Sequence, residues 1–147
     1  MNIDYESLSK EELIGLLCDA GITPRVKDSR DLWEHIEKYG KKKQEHFGVL
    51  LLNGNLQILG VKVVSIGIVN RTLVHPREVF RPAIRANATA LILFHNHPSG
   101  NLHPSLEDEE LTSRLQKAGQ IMGIEVVDHL IVGKATYFSM REEGYMS

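Results

Sequence analysis

The chain has 147 residues, of which 42% are hydrophobic and 24% charged, with a formal net charge of −2 and a single cysteine. That is one domain's worth of chain with enough apolar material for a sizeable core, and the charge speaks against a dedicated nucleic-acid binder, which carries a basic footprint for phosphates. Cys18 alone cannot form an internal disulfide, the acidic start lacks the apolar core of a secretion signal, and no apolar run approaches membrane-spanning length, so the chain reads as cytoplasmic with no membrane partner.

Residues 1–25 are predicted to be a short helical appendage, and 26–147 one domain. In the appendage Ser9 and Glu12 form a capping box, Leu8 and Leu13 are placed for a hydrophobic staple, and Leu13, Leu16, Leu17 and Ala20 make an apolar face that ends at Gly21. Cys18 reads there as a small packed side chain. A second helix is expected from Arg30 to Tyr39, burying Leu32, Trp33 and Ile36, with Gly40 beyond its end and Lys41 to Lys43 as a solvated junction. Trp33 reads as a packing anchor. Glu45, Phe47, Val49 and Leu51 then repeat at period two, which predicts a strand over 45–53 with those side chains on one face. A carboxylate at a strand start is, taken alone, a solvated end group. Asn53-Gly54-Asn55 predicts a hairpin turn into a partner strand from Leu56 to Ile66.

Pro76 to Asn87 reads as an amphipathic helix opened by proline, with Val79, Phe80, Ala83, Ile84 and Asn87 on one stripe. Arg77 and Glu78 near its start suit capping or an ion pair. The unalternating run Leu91 to Phe94 predicts a strand buried on both faces, and it ends in His95 and His97. Residues i and i+2 of a strand share a face, so these two imidazoles can meet at one point while Asn96 turns away. Taken alone, a His-x-His at a strand end is equally well polar punctuation. Asp108, eleven residues beyond His97 across a loop holding Pro98, Gly100 and Pro104, turns the reading toward a metal: two histidines and a carboxylate leave a fourth position for water, the pattern of catalytic zinc.

Ser105 is expected to cap the helix that starts at Leu106, with Asp108 as its third residue. Asp108 shares a face with Leu111, Thr112 and Leu115, so its carboxylate should point inward, where a bound cation would offset its burial. His103 reads as an exposed loop histidine, and Glu107, Glu109 and Glu110 as a solvated first turn at the positive end of the helix. A strand from Ile124 to Val132 carries Asp128 and His129, either a buried pair supporting the site or a polar strand face. Tyr137 to Met140 suits a short edge strand and Arg141 to Ser147 a tail. Together the elements predict an α/β sandwich, a mixed sheet flanked by helices.

His95, His97, Pro98, Ser105 and Asp108 resemble the signature of the JAMM (MPN+) metallopeptidases, the JAB-domain superfamily. The string from His95 to Gly100 with Pro104, Ser105 and Asp108 is similar more narrowly to the bacterial RadC-like JAB-domain proteins, as are the stretches around His75 to Glu78 and around Asp128 and His129, so the likeness covers about residues 28–147. The resemblance implies a cytidine-deaminase-like α/β layout, with Zn²⁺ held by His95, His97 and Asp108. It also implies Glu45 as general base and Ser105 beside the reacting carbonyl, as donor to the oxyanion. The bond cleaved would be a peptide or isopeptide bond, in a protein or peptide that nothing in the chain identifies. Two other classes stand beside this one: a DNA-repair factor or metal-dependent nuclease, and a non-catalytic scaffold. The first sits poorly with an acidic chain too short for the helix-hairpin-helix region of longer relatives. The second sits poorly with the presence of all five site positions.

Overall fold

The computed structural model describes residues 5–10, 12, 13, 16, 25–67 and 74–147. Its centre is a five-stranded sheet built from β1 (His46–Leu52), β2 (Ile58–Ile66), β3 (Ala90–Asn96), β4 (Glu125–Val132) and β5 (Tyr137–Ser139), in the spatial order β2-β1-β3-β4-β5. The β3–β4 pair is parallel and the others are antiparallel, so the sheet is mixed. The helices that flank this sheet are α1 (Ser29–Glu34), α2 (Pro76–Arg85) and α3 (Leu106–Met122), with a 3₁₀ segment at Glu37–Lys41; among the described residues nearer the start, Lys10, Glu12, Leu13 and Leu16 are helical as well, after a 3₁₀ turn at Tyr5–Ser7. Among the described residues no helix is long and apolar enough to cross a membrane.

All seven residues of β3 are buried, because the strand lies between β1 and β4 and is covered on both sides. Odd positions Leu91 and Leu93 join Phe47, Val49 and Leu51 under Val79, Phe80 and Ala83 of α2 and Leu111 and Leu115 of α3. Even positions Ile92 and Phe94 join Leu50, Leu52, Leu130 and Val132 beneath Leu32, Ile36 and Tyr39. Each such fully buried side chain contributes about 2 kcal/mol, so β3 is fixed in register by two cores at once. A one-residue slip would exchange them, and this is what places its last residues reproducibly.

Several sequence expectations are refined. The helix expected to run to Tyr39 stops at Glu34 and continues as 3₁₀ turn, so Ile36 and Tyr39 still reach the core. Gly40 lies inside that turn and does not cap a helix. It is glycine because a Cβ there would lie 1.8 Å from the carbonyl oxygen of Gly133, where the segment crosses the end of β4. Ile84 is 58% exposed, although Val79, Phe80 and Ala83 of the same stripe are buried. Trp33 does pack, against the ring of Tyr137. The last residues are no loose tail: Met146 packs on the core beneath α3, and Tyr145 N donates to the carbonyl of Met140. The Ser9–Glu12 capping box is present, whereas Leu17, Cys18, Ala20 and Gly21 lie outside the described residues.

Candidate metal centre

The histidines stand at the carboxyl end of β3, below the N-terminus of α3. His95 continues the odd-numbered face of Leu91 and Leu93 and is buried; His97 follows the strand and is half-buried. Ser105 caps α3 by accepting the Asp108 N–H (3.0 Å), while Asp108 Oδ2 accepts the Ser105 N–H (2.8 Å). This capping box turns the buried carboxylate of Asp108 back toward the strand end. Oδ1 then lies 3.2 Å from His95 Nε2 and Oδ2 3.1 Å from His97 Nε2, with the two Nε2 atoms 2.8 Å apart. The sequence-predicted triad is thus brought to one point, its ligand atoms all within 4.8 Å of one another.

Hydrogen-bond direction says which lone pairs face that point. A carbonyl only accepts, so Thr112 Oγ1 donates to the carbonyl of Asp108 (2.6 Å) and must accept from His129 Nδ1 (2.6 Å). His129 is wholly buried; burial, together with the neighbouring His95, drives its pKa well below the ordinary imidazole value, so it is neutral and its Nε2 is an acceptor. His95 Nδ1, 2.7 Å away, therefore carries the proton and donates to it. That leaves the lone pair of His95 on Nε2. In the same way His97 Nδ1 donates to the carbonyl of Asn101 (2.6 Å), leaving Nε2 toward the carboxylate. Two imidazole lone pairs and a carboxylate face one another with no donor among them, and a cation is the group this set fits. The three residues could hold a metal ion. Without one, a proton takes its place. Burial acts to lower the pKa of His97, but the hydrogen bonds to Asp108 and Asn101 and the charges of Asp108 and Glu45 carry it above the ordinary value. Burial acts to raise that of Asp108, yet the hydrogen bonds to His95 and His97 hold it far below the carboxylate range.

The remaining predicted residues divide. Glu45 is half-buried and immediately precedes β1, in phase with Phe47, and its charge acts on His97. It is held from both sides by Asn96, whose Oδ1 accepts the His46 N–H (2.6 Å) and whose Nδ2 donates to the carbonyls of Gln44 (3.0 Å) and Lys42 (3.2 Å). Gly67 N also donates to the carbonyl of Glu45 (2.9 Å). Ser105 is exposed, and its hydroxyl keeps its own proton to donate while its oxygen serves as the cap. Arg77 and Glu78 are exposed on α2 and take no part in these contacts. His103 is exposed, as expected, and its Nε2 lies 3.3 Å from the Tyr145 hydroxyl.

Asp128 and His129 are both buried and joined through the His129 N–H, but their side chains serve different places. Successive strand residues face opposite ways, so only His129 reaches the centre. Asp128 instead accepts Ser139 Oγ–H (2.5 Å) and the N–H groups of His129 (2.7 Å) and Arg141 (3.0 Å), its pKa raised by burial against those bonds. Asn96 and Thr112 join the site only through the fold; the sequence signals that could mark them are an amide between two candidate ligands and a hydroxyl one turn after the third. Thr112→Val removes the acceptor that fixes the His129 tautomer. It is expected to weaken binding of an added divalent metal ion by roughly ten- to hundredfold, with little change in fold, as read by competition against a chelating dye.

The RadC-like JAB domain profile matches residues 26–145. Among similar proteins are a UPF0758 protein of Rubrobacter xylanophilus, 53% identical over 103 residues (70% of this chain and 45% of that protein), and one of Symbiobacterium thermophilum, 54% identical over 103 residues (70% and 44%). A UPF0758 protein of Desulfitobacterium hafniense is 43% identical over 129 residues, 87% of this chain and 57% of that one. The chain spans about half the length of the curated relatives it matches.

Proposed function

Because the chain belongs to the RadC-like JAB domain family, we propose that it is a zinc-dependent hydrolase of JAMM type, acting on a peptide or isopeptide bond. The observation that carries this reading is the convergence of His95, His97 and Asp108 with the Glu45 carboxylate near enough to act on His97.

His95 and His97 would hold zinc through Nε2 and Asp108 through its carboxylate. When bound, zinc supplies the Lewis acidity that brings the pKa of a water toward neutrality and polarises a carbonyl. Glu45 takes the proton from the attacking water and delivers it to the leaving amine. Asn96 keeps Glu45 at its station by fixing the backbone on both sides of it. Ser105, anchored through its oxygen at the helix cap, donates its hydroxyl proton to the oxyanion of the tetrahedral intermediate. His129 and Thr112 hold His95 in the tautomer that leaves Nε2 free.

The test is a screen of peptides and isopeptide-linked conjugates with the zinc-loaded protein. Cleavage of at least one class is expected, abolished by a chelator and restored by zinc. A fully zinc-loaded protein that cleaves none of them, or cleavage indifferent to the chelator, overturns the reading.

A further inference from the structure

The turn that follows β5 touches the loop between His97 and Asp108. We propose that this turn clasps the loop, with Tyr145 a positioning residue that holds His97 on station through His103 and Asn101. The proposal rests on the metal centre argued above. It assigns roles to Asp128, His103 and Tyr145, three residues that the hydrolytic scheme leaves unused.

Tyr145 reaches the loop because of the backbone before it. Glu143 N donates to the carbonyl of Ser139 (3.1 Å) and Tyr145 N to that of Met140 (2.7 Å), while Gly144 between them takes φ +83°. A left-handed glycine followed by a bond that returns across five residues is how a helical turn reverses its chain, and it carries Tyr145 back toward the loop. The base of the turn is fixed to β4. Asp128, a buried carboxylate, accepts the Ser139 hydroxyl (2.5 Å) and the Arg141 N–H (3.0 Å), and Met140 N donates to the carbonyl of His129 (3.0 Å). A buried carboxylate without such donors would be destabilising, so Asp128 and the turn keep each other in place.

The loop is met at two points. Leu102 packs so closely on Gly133 that a Cβ there would lie 2.9 Å from its Cδ2. His103 stands nearly perpendicular to the rings of Tyr145 (centroids 5.6 Å apart) and Phe138 (6.0 Å), with its Nε2 3.3 Å from the Tyr145 hydroxyl. The ring contacts carry this hold, because the hydroxyl bond is exposed and water replaces it with little loss. His103 N in turn donates to Asn101 Oδ1 (3.0 Å), and the Asn101 carbonyl accepts from His97 Nδ1 (2.6 Å). That carbonyl directs the Nε2 lone pair of His97 at the centre. Because His97 follows β3 instead of lying within it, strand register does not set its ring, and the loop must.

Zinc affinity of the full chain, read by competition against a chelating dye, tests the clasp. Y145A and H103A are each expected to weaken binding by roughly tenfold, the low end of what groups orienting a ligand contribute. The double variant should bind no more weakly than either single one, since both changes sever the same path. Y145F, which keeps the ring, should bind close to the native protein. M146A removes packing from the core and leaves the ring contacts of Tyr145 in place, so it should lower the melting temperature and spare zinc affinity. The proposal is overturned if Y145A binds like the native chain, if the two losses multiply, or if Y145F is as weak as Y145A. Equal weakening by M146A overturns it too, because the segment would then act through stability alone. Failure of the metal centre itself looks different: the native chain would bind no zinc, and the proposal would fall with it.

Discussion

His97→Ala protein, offered zinc and then dialysed, is expected to retain little of it, while the native chain keeps close to one ion per molecule. Three protein ligands hold the ion in the proposed centre, and even residues that merely orient a ligand are worth ten- to hundredfold in affinity. Removing a ligand outright should therefore cost more than roughly a hundredfold. The fold should survive, because His97 follows β3 instead of lying within it and is only half-buried. The affinity of the native protein should also rise with pH. His97 holds its proton more tightly than an ordinary imidazole in the metal-free state, and that proton must leave before Nε2 can bind a metal. Zinc therefore competes poorly below the raised His97 value and well above it, while Asp108 stays ionised throughout. Elemental analysis and dye competition across this range check both statements. A native chain that stays empty when zinc is offered would remove the metal centre altogether.

Glu45→Gln should leave zinc stoichiometry unchanged and lower hydrolysis by roughly 10²- to 10⁴-fold, the usual worth of a positioned general base. Glutamine keeps the size of the side chain and loses only the ability to take a proton. Backbone bonds through Asn96 and Gly67 hold residue 45 whichever side chain it carries, so the substitution tests proton transfer and not placement. Full zinc with undiminished cleavage would move the base elsewhere. If a biological phenotype of the chain were also unchanged by Glu45→Gln, the protein would be acting as a scaffold.

Much of this was legible in the sequence because it is local. The His-x-His spacing at the end of an apolar run, the Ser105–Asp108 capping box and the proline opening α2 depend on strand and helix periods, which neighbouring residues impose on one another. The unalternating run before His95 announced a strand covered on both faces, and β3 is one. Where periodicity is ambiguous a distant contact decides: the segment after Ser29 has helical spacing throughout, yet at Gly40 it must pass against Gly133, and it winds there as a 3₁₀ turn.

The sequence by itself determined the three candidate ligands and the elements that carry them, since period and capping fix where a side chain points from its own backbone. Tertiary structure alone decided which residues serve those ligands. Parallel pairing of β3 with β4 brings Ile131 opposite His95 and puts His129 beside it on the same face, with Asp128 turned to the other. Packing of α3 on that face sets Thr112 against His129, and the β1–β3 register carries Glu45 to His97 across 52 residues of chain. Such contacts join positions that no local period relates, so only the assembled sheet could reveal them.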